Sequence, residues 1–437
     1  MSIKVLKFGG SSLADANQFR RVAEIIKADP DRRYVVASAP GKRSARDIKV
    51  TDLLYTCYEL AADEKDFTDV FETIKQRYND IISELGIDLD LSETFEKIKH
   101  AFTHNSGRDY VASRGEYLNS KILAKYLDFH FLDARKCIFF DDNGIFDADR
   151  TNSVLRDYLT KYEYCVIPGF YGSMPNGTIK TFSRGGSDIT GSIVARAASA
   201  SLYENWTDVS GFLMADPKII ENPKAISVIT YKELRELSYM GATVLHEDAI
   251  FPVRCSKIPI NIRNTNRPED NGTYILPGTD EVPKYTITGV AGKVGFSTLT
   301  IEKDMMNSQL GFGRRVLQAL EENGISYEHF PSGIDTMTLV ISTKEMSKKR
   351  GDLMASICKA VNPENIFIED NLALIAIVGR GMVKAKGTAG RVFTALGEAG
   401  VNVRMIDQGS SELNIIVGVD ENDYVPALRA IYHEFVD

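Results

Sequence analysis

The first forty residues constrain the fold more than any other stretch. An apolar run, Ile3-Lys4-Val5-Leu6-Lys7-Phe8, breaks into Gly9-Gly10-Ser11-Ser12. Beyond it Phe19, Val22, Ala23 and Ile26 recur at helical spacing, and residues 33–39 form a second buried, strand-like run. Strand, helix and strand in so short a span read as a βαβ unit with parallel strands. The loop after the first strand gathers backbone N–H groups, the Lys7 cation and a helix start, which is the make-up of an anion cradle, above all for phosphate. It is not a P-loop, because G-x-x-x-x-G-K-[ST] occurs nowhere in the chain.

The alternation continues to about residue 264. Phe67, Val70, Phe71, Ile74, Tyr78, Ile81, Ile82 and Leu85 make one apolar helical stripe for core packing, ended by Gly86. A helix is expected over 113–128, starting at Ser113-Arg114-Gly115-Glu116, then strands at 136–140 and 164–167. A Gly-rich loop at 183–187 opens a helix to about 200, and another strand runs into Trp206-Thr207-Asp208. This pattern predicts an α/β domain with helices on both faces of a mainly parallel sheet.

The character changes near residue 265, where Asn264–Gly272 and Pro277-Gly278 are turn-rich. Beyond lies an internal repeat. Gly311–Ile325 can be laid over Gly387–Val401 at an offset of 76 residues, with identities at Gly311/Gly387, Arg315/Arg391, Val316/Val392, Ala319/Ala395, Leu320/Leu396, Glu322/Glu398 and Gly324/Gly400. Each copy predicts a helix that stops at glycine, followed by a short strand, a loop and a second strand (Thr338–Ser342; Leu413–Val417). Two small α+β modules are too few for a solenoid and suit a paired regulatory or dimerisation unit.

A chain of 437 residues is long enough for two or three domains. Its net charge of −8 argues against broad nucleic-acid binding. Cys57, Cys137, Cys165, Cys255 and Cys358 are scattered without metal spacing and read as buried free thiols of a reducing compartment. His100, His104, His130, His246, His329 and His433 show no metal or nucleophile spacing and read as structural; no metal site is expected from them. With no leader pattern at the start and no membrane-length apolar run, a cytoplasmic protein is expected.

Four clusters carry chemistry. Lys7 with Gly9-Gly10 reads as a phosphate contact rather than a snorkelling strand-end lysine. Ser183-Arg184-Gly185-Gly186-Ser187-Asp188 sits at a helix start, where Ser187 or Asp188 can cap. Arg184 can grip a carboxylate bidentately, and the glycines let backbone approach a ligand. Thr207-Asp208-Val209-Ser210-Gly211, followed by Asp216-Pro217-Lys218, follows a strand end, where open α/β sheets bind ligands. Arg114-Gly115-Glu116 alone reads as an acidic helix start suited to the macrodipole.

In order along the chain, these motifs resemble the aspartokinase family of amino-acid kinases over nearly the whole sequence. Lys7–Ser12 is similar to its opening signature and Ser183–Asp188 to its Gly-Arg-Gly-Gly-Ser-Asp loop, with Ser183 in place of glycine. Thr207–Gly211 with Asp216-Pro217 resembles its nucleotide segment, and the repeat resembles its paired ACT domains. The resemblance implies a three-layer amino-acid-kinase domain over 1–280 and a regulatory region over 281–437. The latter would hold two βαββαβ ACT-like modules, about 300–365 and 366–437, the second completed by a strand from 284–295. It implies ATP-dependent phosphorylation of the aspartate side-chain carboxylate, the first step toward lysine, threonine and methionine, with Mg²⁺ held mainly by the nucleotide phosphates.

It also implies roles. Lys7 would stabilise the transferring phosphoryl group and Asp188 would orient it. Ser38, Thr51, Glu116, Arg184 and Ser187 would hold aspartate, with Arg184 on its α-carboxylate and Glu116 on its ammonium. Lys7, Gly9, Gly10, Ser11, Thr207, Asp208, Gly211, Asp216 and Lys218 would hold the nucleotide. Ser308, Gly311, Phe312, Glu328, Ser332 and Gly333 would edge an effector site, with Glu328 suited to lysine and threonine a co-effector. A homodimer or homotetramer through the ACT-like region, and no fused homoserine dehydrogenase, would follow. The chain departs from the family at Thr243, where a nucleotide-reaching lysine is usual, at Lys218 for arginine, and at Leu213 for an aromatic. The basic stretch Lys42–Lys49 reads as a solvated loop rather than a lid over phosphates. The competing readings are a kinase of glutamate, acetylglutamate or a nucleoside monophosphate, and a catalytically inactive amino-acid sensor; the paired ACT-like modules and Glu116 with Thr51 oppose the first, and Lys7, Arg184 and Asp188 oppose the second.

Overall fold

The pleat of the opening strand decides the layering. The computed structural model describes residues 2–104, 106–183, 185–241, 245 and 247–436. The chain forms two compact units, one of Met1–Phe212, Ala225–Tyr231 and Thr243–Thr279, the other of Leu213–Lys224, Lys232–Ala242 and Asp280–Asp437.

The strands of the first unit are β1 (Lys4–Phe8), β2 (Arg32–Ala37), β3 (His130–Phe131), β4 (Cys165–Pro168), β5 (Tyr171–Ser173), β6 (Ile179–Thr181), β7 (Leu202–Thr207), β8 (Val228–Thr230), β9 (Ile260–Asn264) and β10 (Thr273–Leu276). Eight of them form one sheet in the order β3-β4-β2-β1-β7-β9-β10-β8, and β5 pairs with β6 apart from it. Neighbours in the large sheet run parallel except β9 with β10. The helices are α1 (Ala16–Lys27), α2 (Val50–Ala62), α3 (Thr68–Leu85), α4 (Ser92–Thr103), α5 (Arg108–Leu127), α6 (Ala148–Lys161), α7 (Gly186–Ala197) and α9 (Glu247–Cys255), while α8 (Tyr231–Tyr239) belongs to the second unit from Lys232 onward. Leu6 and Phe8, with Val35, Ala37 and Trp206, share one core with α1 to α5. Successive side chains alternate across a sheet, so Lys7 points to the other face, where α7 packs on β1, β2 and β7.

Three expectations change. The helix expected from Ser113 begins at Arg108, behind Gly107 at φ 88°, so Glu116 lies mid-helix, away from the N-terminal dipole. That helix is buried almost all round, so no apolar stripe marked its phase. Residues 136–140 form no strand: Ala134–Lys136 is a 3-10 turn, and Phe139 and Phe140 make only isolated bridges. Finally, Cys57, Cys137 and Cys165 are buried thiols, but Cys255 and Cys358 are exposed. Cys255 ends α9, and Cys358 sits one position off the buried Leu353-Ile357-Val361 stripe of its helix.

The second unit has a five-stranded antiparallel sheet in the order β12-β11-β13-β15-β14, from β11 (Gly289–Glu302), β12 (Thr336–Ser342), β13 (Asn365–Val378), β14 (Val403–Asp407) and β15 (Asn414–Asp420). Its helices are α10 (Phe312–Glu322), α11 (Thr343–Met346), α12 (Arg350–Val361), α13 (Thr388–Glu398) and α14 (Tyr424–Val436). β11 and β13 stand at the repeat's offset of 76 and pair along their whole length. The register shifts at Gly295 (φ 92°) and Asn371 (φ 60°), which are equivalent in the two copies. Beyond the shift β11 pairs with β12, and β13 with β15, while Gly289–Lys293 pairs with the second copy's Leu374–Val378. The copies therefore share a two-stranded ribbon. Gly311 and Gly387 open α10 and α13 at φ 74° and 84°, and Gly324 and Gly400 follow their ends at φ 59° and 71°. L-residues rarely adopt that conformation, so glycine is needed at both ends of both copies.

Candidate active site

Five parallel strands stop on one edge. Phe8 stands opposite Ala37 and Trp206, Ala37 opposite Pro168, and Thr207 opposite Asn264. The loops leaving this edge carry Gly9–Ser11, Ser38, Gly169 and Thr207–Gly211, which is where an open α/β sheet binds its ligand.

One half of the site is cationic. Lys7 is only 7% exposed, and its Nζ lies 2.6 Å from Asp188 Oδ1, in the first turn of α7. Asn205, opposite Lys7 on β7, donates its Nδ2–H to the same oxygen at 2.8 Å. Gly185, at φ 56°, caps α7, so Ser187 and Asp188 lie inside the helix rather than at its cap. The ammonium is thus held in one place by a carboxylate that an amide also holds. Beside it, Gly9 N–H donates to Trp206 O (3.0 Å), and Gly10 and Ser11 open a 3-10 turn with no earlier turn to receive their N–H groups. A Cβ on Gly10 would lie 2.9 Å from Ala39 O, so a side chain there would displace the loop. Ser12 and Thr265 share a buried hydroxyl hydrogen bond of 2.7 Å that ties this loop to the one after β9.

The other half is a buried carboxylate. Glu116 on α5 is 6% exposed, and its Oε2 has no hydrogen-bond partner. Burial pushes its carboxyl up to about 8, against the opposing pull of the Glu116 and Ala39 N–H groups and the Arg114 charge. Asn119, one turn on, donates to Ser38 O at 2.7 Å. Thr51 lies in the first turn of α2, and a Cβ on Gly115 would sit 3.8 Å from its Oγ1. Ser187 packs on the loop after β4, where a Cβ on Gly169 would come within 2.6 Å of its Oγ.

The remaining residues fall in three places. Thr207 Oγ1 donates to Asp208 Oδ1 (3.1 Å) past the end of β7, and Gly211 at φ 92° lies against Thr273. Asp216 and Lys218 belong to the second unit, where Asp216 Oδ1 accepts the Lys218 N–H at 2.9 Å. Arg184, Thr243 and His246 lie outside the described residues. Lys42–Lys49 is a largely exposed loop. The buried Arg77 anchors it, donating to the Gly41 and Ile48 carbonyls and pairing with Asp47 at 2.9 Å. In the second unit Ser308 and Ser332 are exposed, Gly311 opens α10, and Gly333 N–H donates to Thr336 O at 2.7 Å. Phe312 is buried in the module core rather than at a rim, and Glu328 already accepts the Tyr239 hydroxyl.

Sequence reading missed Asn205, Asn119 and Arg77. The first had a signal, since Glu204-Asn205 are polar in an otherwise buried strand; the other two look like ordinary helix polar residues.

Residues 2–264 match the amino acid kinase family and residues 375–435 an ACT domain. Aspartokinase 3 of Bacillus subtilis is 39% identical over 99% of this chain and 98% of its own length. The aspartate kinase of Clostridium acetobutylicum superposes with a TM-score of 0.90 at 54% identity, covering both chains fully. Aspartokinase III of Escherichia coli superposes at 26% identity, with TM-scores of 0.74 in complex with aspartate and ADP and 0.72 with lysine and aspartate, covering 99–100% of both chains.

Proposed function

The chain belongs to the aspartokinase family, with an amino acid kinase domain and ACT regulation, and from that premise we propose that it transfers the terminal phosphoryl group of ATP to the side-chain carboxylate of L-aspartate. One observation carries the reading. A buried ammonium already oriented by a carboxylate, Lys7 with Asp188, shares a unit with a buried carboxylate oxygen that has no partner, Glu116 Oε2. The first suits a transferring phosphoryl group and the second a substrate ammonium. The aspartate and ADP held by the E. coli relative support the same pair of ligands.

The chemistry asks little more of the protein. The aspartate carboxylate is ionised at neutral pH and needs no general base. Its oxygen forms the new P–O bond as the bond to the bridging oxygen of ADP breaks, so catalysis is alignment and charge neutralisation. Lys7 meets the charge on the phosphoryl oxygens, while Asp188 and Asn205 hold it in place. Gly9, Gly10, Ser11, Thr207, Asp208 and Gly211 line the edge for the nucleotide. Ser38, Thr51, Glu116, Arg184 and Ser187 are assigned to aspartate, and Asp216 and Lys218 to the nucleotide on the sequence resemblance alone. Among the described residues no group of three or more His, Cys, Asp or Glu is placed to cage a metal. On the sequence resemblance, Mg²⁺ is assigned to the nucleotide phosphates, whose charge it would neutralise when bound.

Amino-acid sensing is assigned to the second unit, with lysine as the first effector to test and threonine as a co-effector, and self-association to its ACT-like sheet. A basic ligand reaching Glu328 would exchange for the Tyr239 hydroxyl. Lysine titrated against turnover should inhibit, and a flat curve removes that assignment. The main test is ADP release with aspartate, glutamate and acetylglutamate as acceptors. Aspartate-dependent release is expected, and release with glutamate but not aspartate overturns the reading.

A further inference from the structure

Glu116 and Asn119 lie three residues apart on α5 and so share a face. Both are buried, and each keeps an oxygen without a partner, Glu116 Oε2 and Asn119 Oδ1. Their engaged atoms converge on a single peptide group. Asn119 Nδ2 donates to the Ser38 carbonyl at 2.7 Å, and the next backbone N–H, that of Ala39, pulls on the Glu116 carboxylate in its ionised form. That carbonyl and that N–H are the two polar ends of one planar unit, so one helix face holds the Ser38–Ala39 peptide at its carbonyl and sets Glu116 toward its N–H. The helix also approaches it closely, since a Cβ on Gly115 would lie 2.7 Å from Ala39 Cβ. Two residues on, Gly41 N–H donates to Gly10 O at 2.7 Å, which carries the grip to the loop beside Lys7.

We propose that Asn119 is a positioning residue for the acceptor amino acid. It fixes the Ser38–Ala39 peptide so that the Ala39 N–H engages one side of the Glu116 carboxylate and Oε2 is left for the substrate ammonium. This inference rests on the assignment of Glu116 to the aspartate ammonium. Without the Asn119 amide the peptide is free to rotate, and the Ala39 N–H no longer orients Glu116.

Steady-state kinetics of Asn119→Ala and Asn119→Asp test it. Asn119→Ala should raise KM for aspartate about tenfold, the factor of one hydrogen bond, with KM for ATP within about twofold. Should the Ala variant fail to fold, Asn119→Ser reads the same split. In Asn119→Asp the new carboxyl can donate to Ser38 O only when protonated. The ratio of its KM for aspartate to that of the wild type at the same pH should therefore approach one at acid pH and climb as pH rises, a profile that a packing role would not create. Unchanged KM for aspartate in both variants overturns the proposal. So does an equal rise in KM for aspartate and ATP accompanied by a lowered Tm. Failure of the underlying assignment looks different: Glu116→Gln would then keep wild-type KM for aspartate, whatever the Asn119 variants do.

Discussion

The two halves of the site are prepared in opposite ways. The cationic half is satisfied before any ligand arrives, with Lys7 paired to Asp188 at 2.6 Å and Asn205 bonded to the same carboxylate. The acceptor half is left wanting, with a Glu116 oxygen buried and unpartnered and its carboxyl pushed up to about 8 by burial. A group that must stabilise transition-state charge works best when already fixed, because no reorganisation is then needed at the moment of transfer. A group that must recognise a substrate gains by being unsatisfied, because leaving a buried polar oxygen unpaired is costly and the right ligand removes that cost. The contrast predicts that damage to the first half appears in kcat and damage to the second in KM for aspartate.

The largest effect is expected at Lys7. Lys7→Met should lower kcat by about 10²–10³, the usual loss for one preorganised charge-stabilising donor, while KM for aspartate moves only a few-fold. Lys7→Arg should not rescue it, since a planar guanidinium cannot occupy the point held by a compact ammonium. Turnover within tenfold of wild type in Lys7→Met, measured by ADP release, would break the comparison at its stronger end.

Glu116 comes next, and its effect carries a sign in pH. With the carboxyl near 8 in the free protein, it is largely protonated at pH 7, and binding an ammonium favours the ionised form. KM for aspartate should therefore fall as pH rises from about 6.5 toward 8, by at most about tenfold per unit, and level off above. Glu116→Gln should raise KM for aspartate about 10- to 100-fold, the loss of one charge-assisted contact, and abolish that slope. Stability should run the other way. The folded carboxyl titrates above its ordinary 4.5, so its contribution is full below that value and is lost as pH rises through about 8. The Tm of the ligand-free protein should follow that fall, and saturating aspartate should oppose it. A pH-independent KM for aspartate in the wild type would show that the acceptor half is not the titrating one.

Much of this contrast was legible in the sequence, for reasons that differ by residue. Lys7-Phe8-Gly9-Gly10 is local, with strand, cation and loop adjacent in the chain. The repeat was legible because Gly311, Gly324, Gly387 and Gly400 all adopt positive φ, which keeps glycine at matched positions. Glu116 was visible as a residue but not in its setting. Its helix is buried nearly all round, so periodicity misplaced the start and suggested a dipole contact that the fold does not make. Asn119 and Arg77 were illegible because they act on backbone carbonyls, Ser38 O for the one and Gly41 O and Ile48 O for the other. No sequence pattern marks which side chain will reach a distant carbonyl. The shared β11–β13 ribbon was hidden likewise, since pairing of equivalent strands between copies leaves no mark in either copy.

The smallest effect is expected in the loop that joins the two halves. Gly41 bonds to Gly10 on the cationic side, and Thr51 sits near Gly115 on the acceptor side, with the 42–49 stretch between. Arg77 holds that stretch from below through Asp47. Burial pushes the Asp47 carboxyl up, but hydrogen bonds from Arg43 and the charges of Arg77 and Arg43 outweigh it and hold it down to about 2. Its folded value lies below the ordinary 3.8, so its stabilising contribution is present above that value and disappears as pH falls toward 2. Asp47→Asn keeps the side chain's shape and the Arg77 bonds to carbonyls while removing the charge. Because the loop serves both halves, KM for aspartate and for ATP should rise together, by about two- to fivefold, the scale of a partly exposed ion pair. A rise confined to ATP would place the loop over the phosphates as a lid, and a rise confined to aspartate would place it wholly with Glu116.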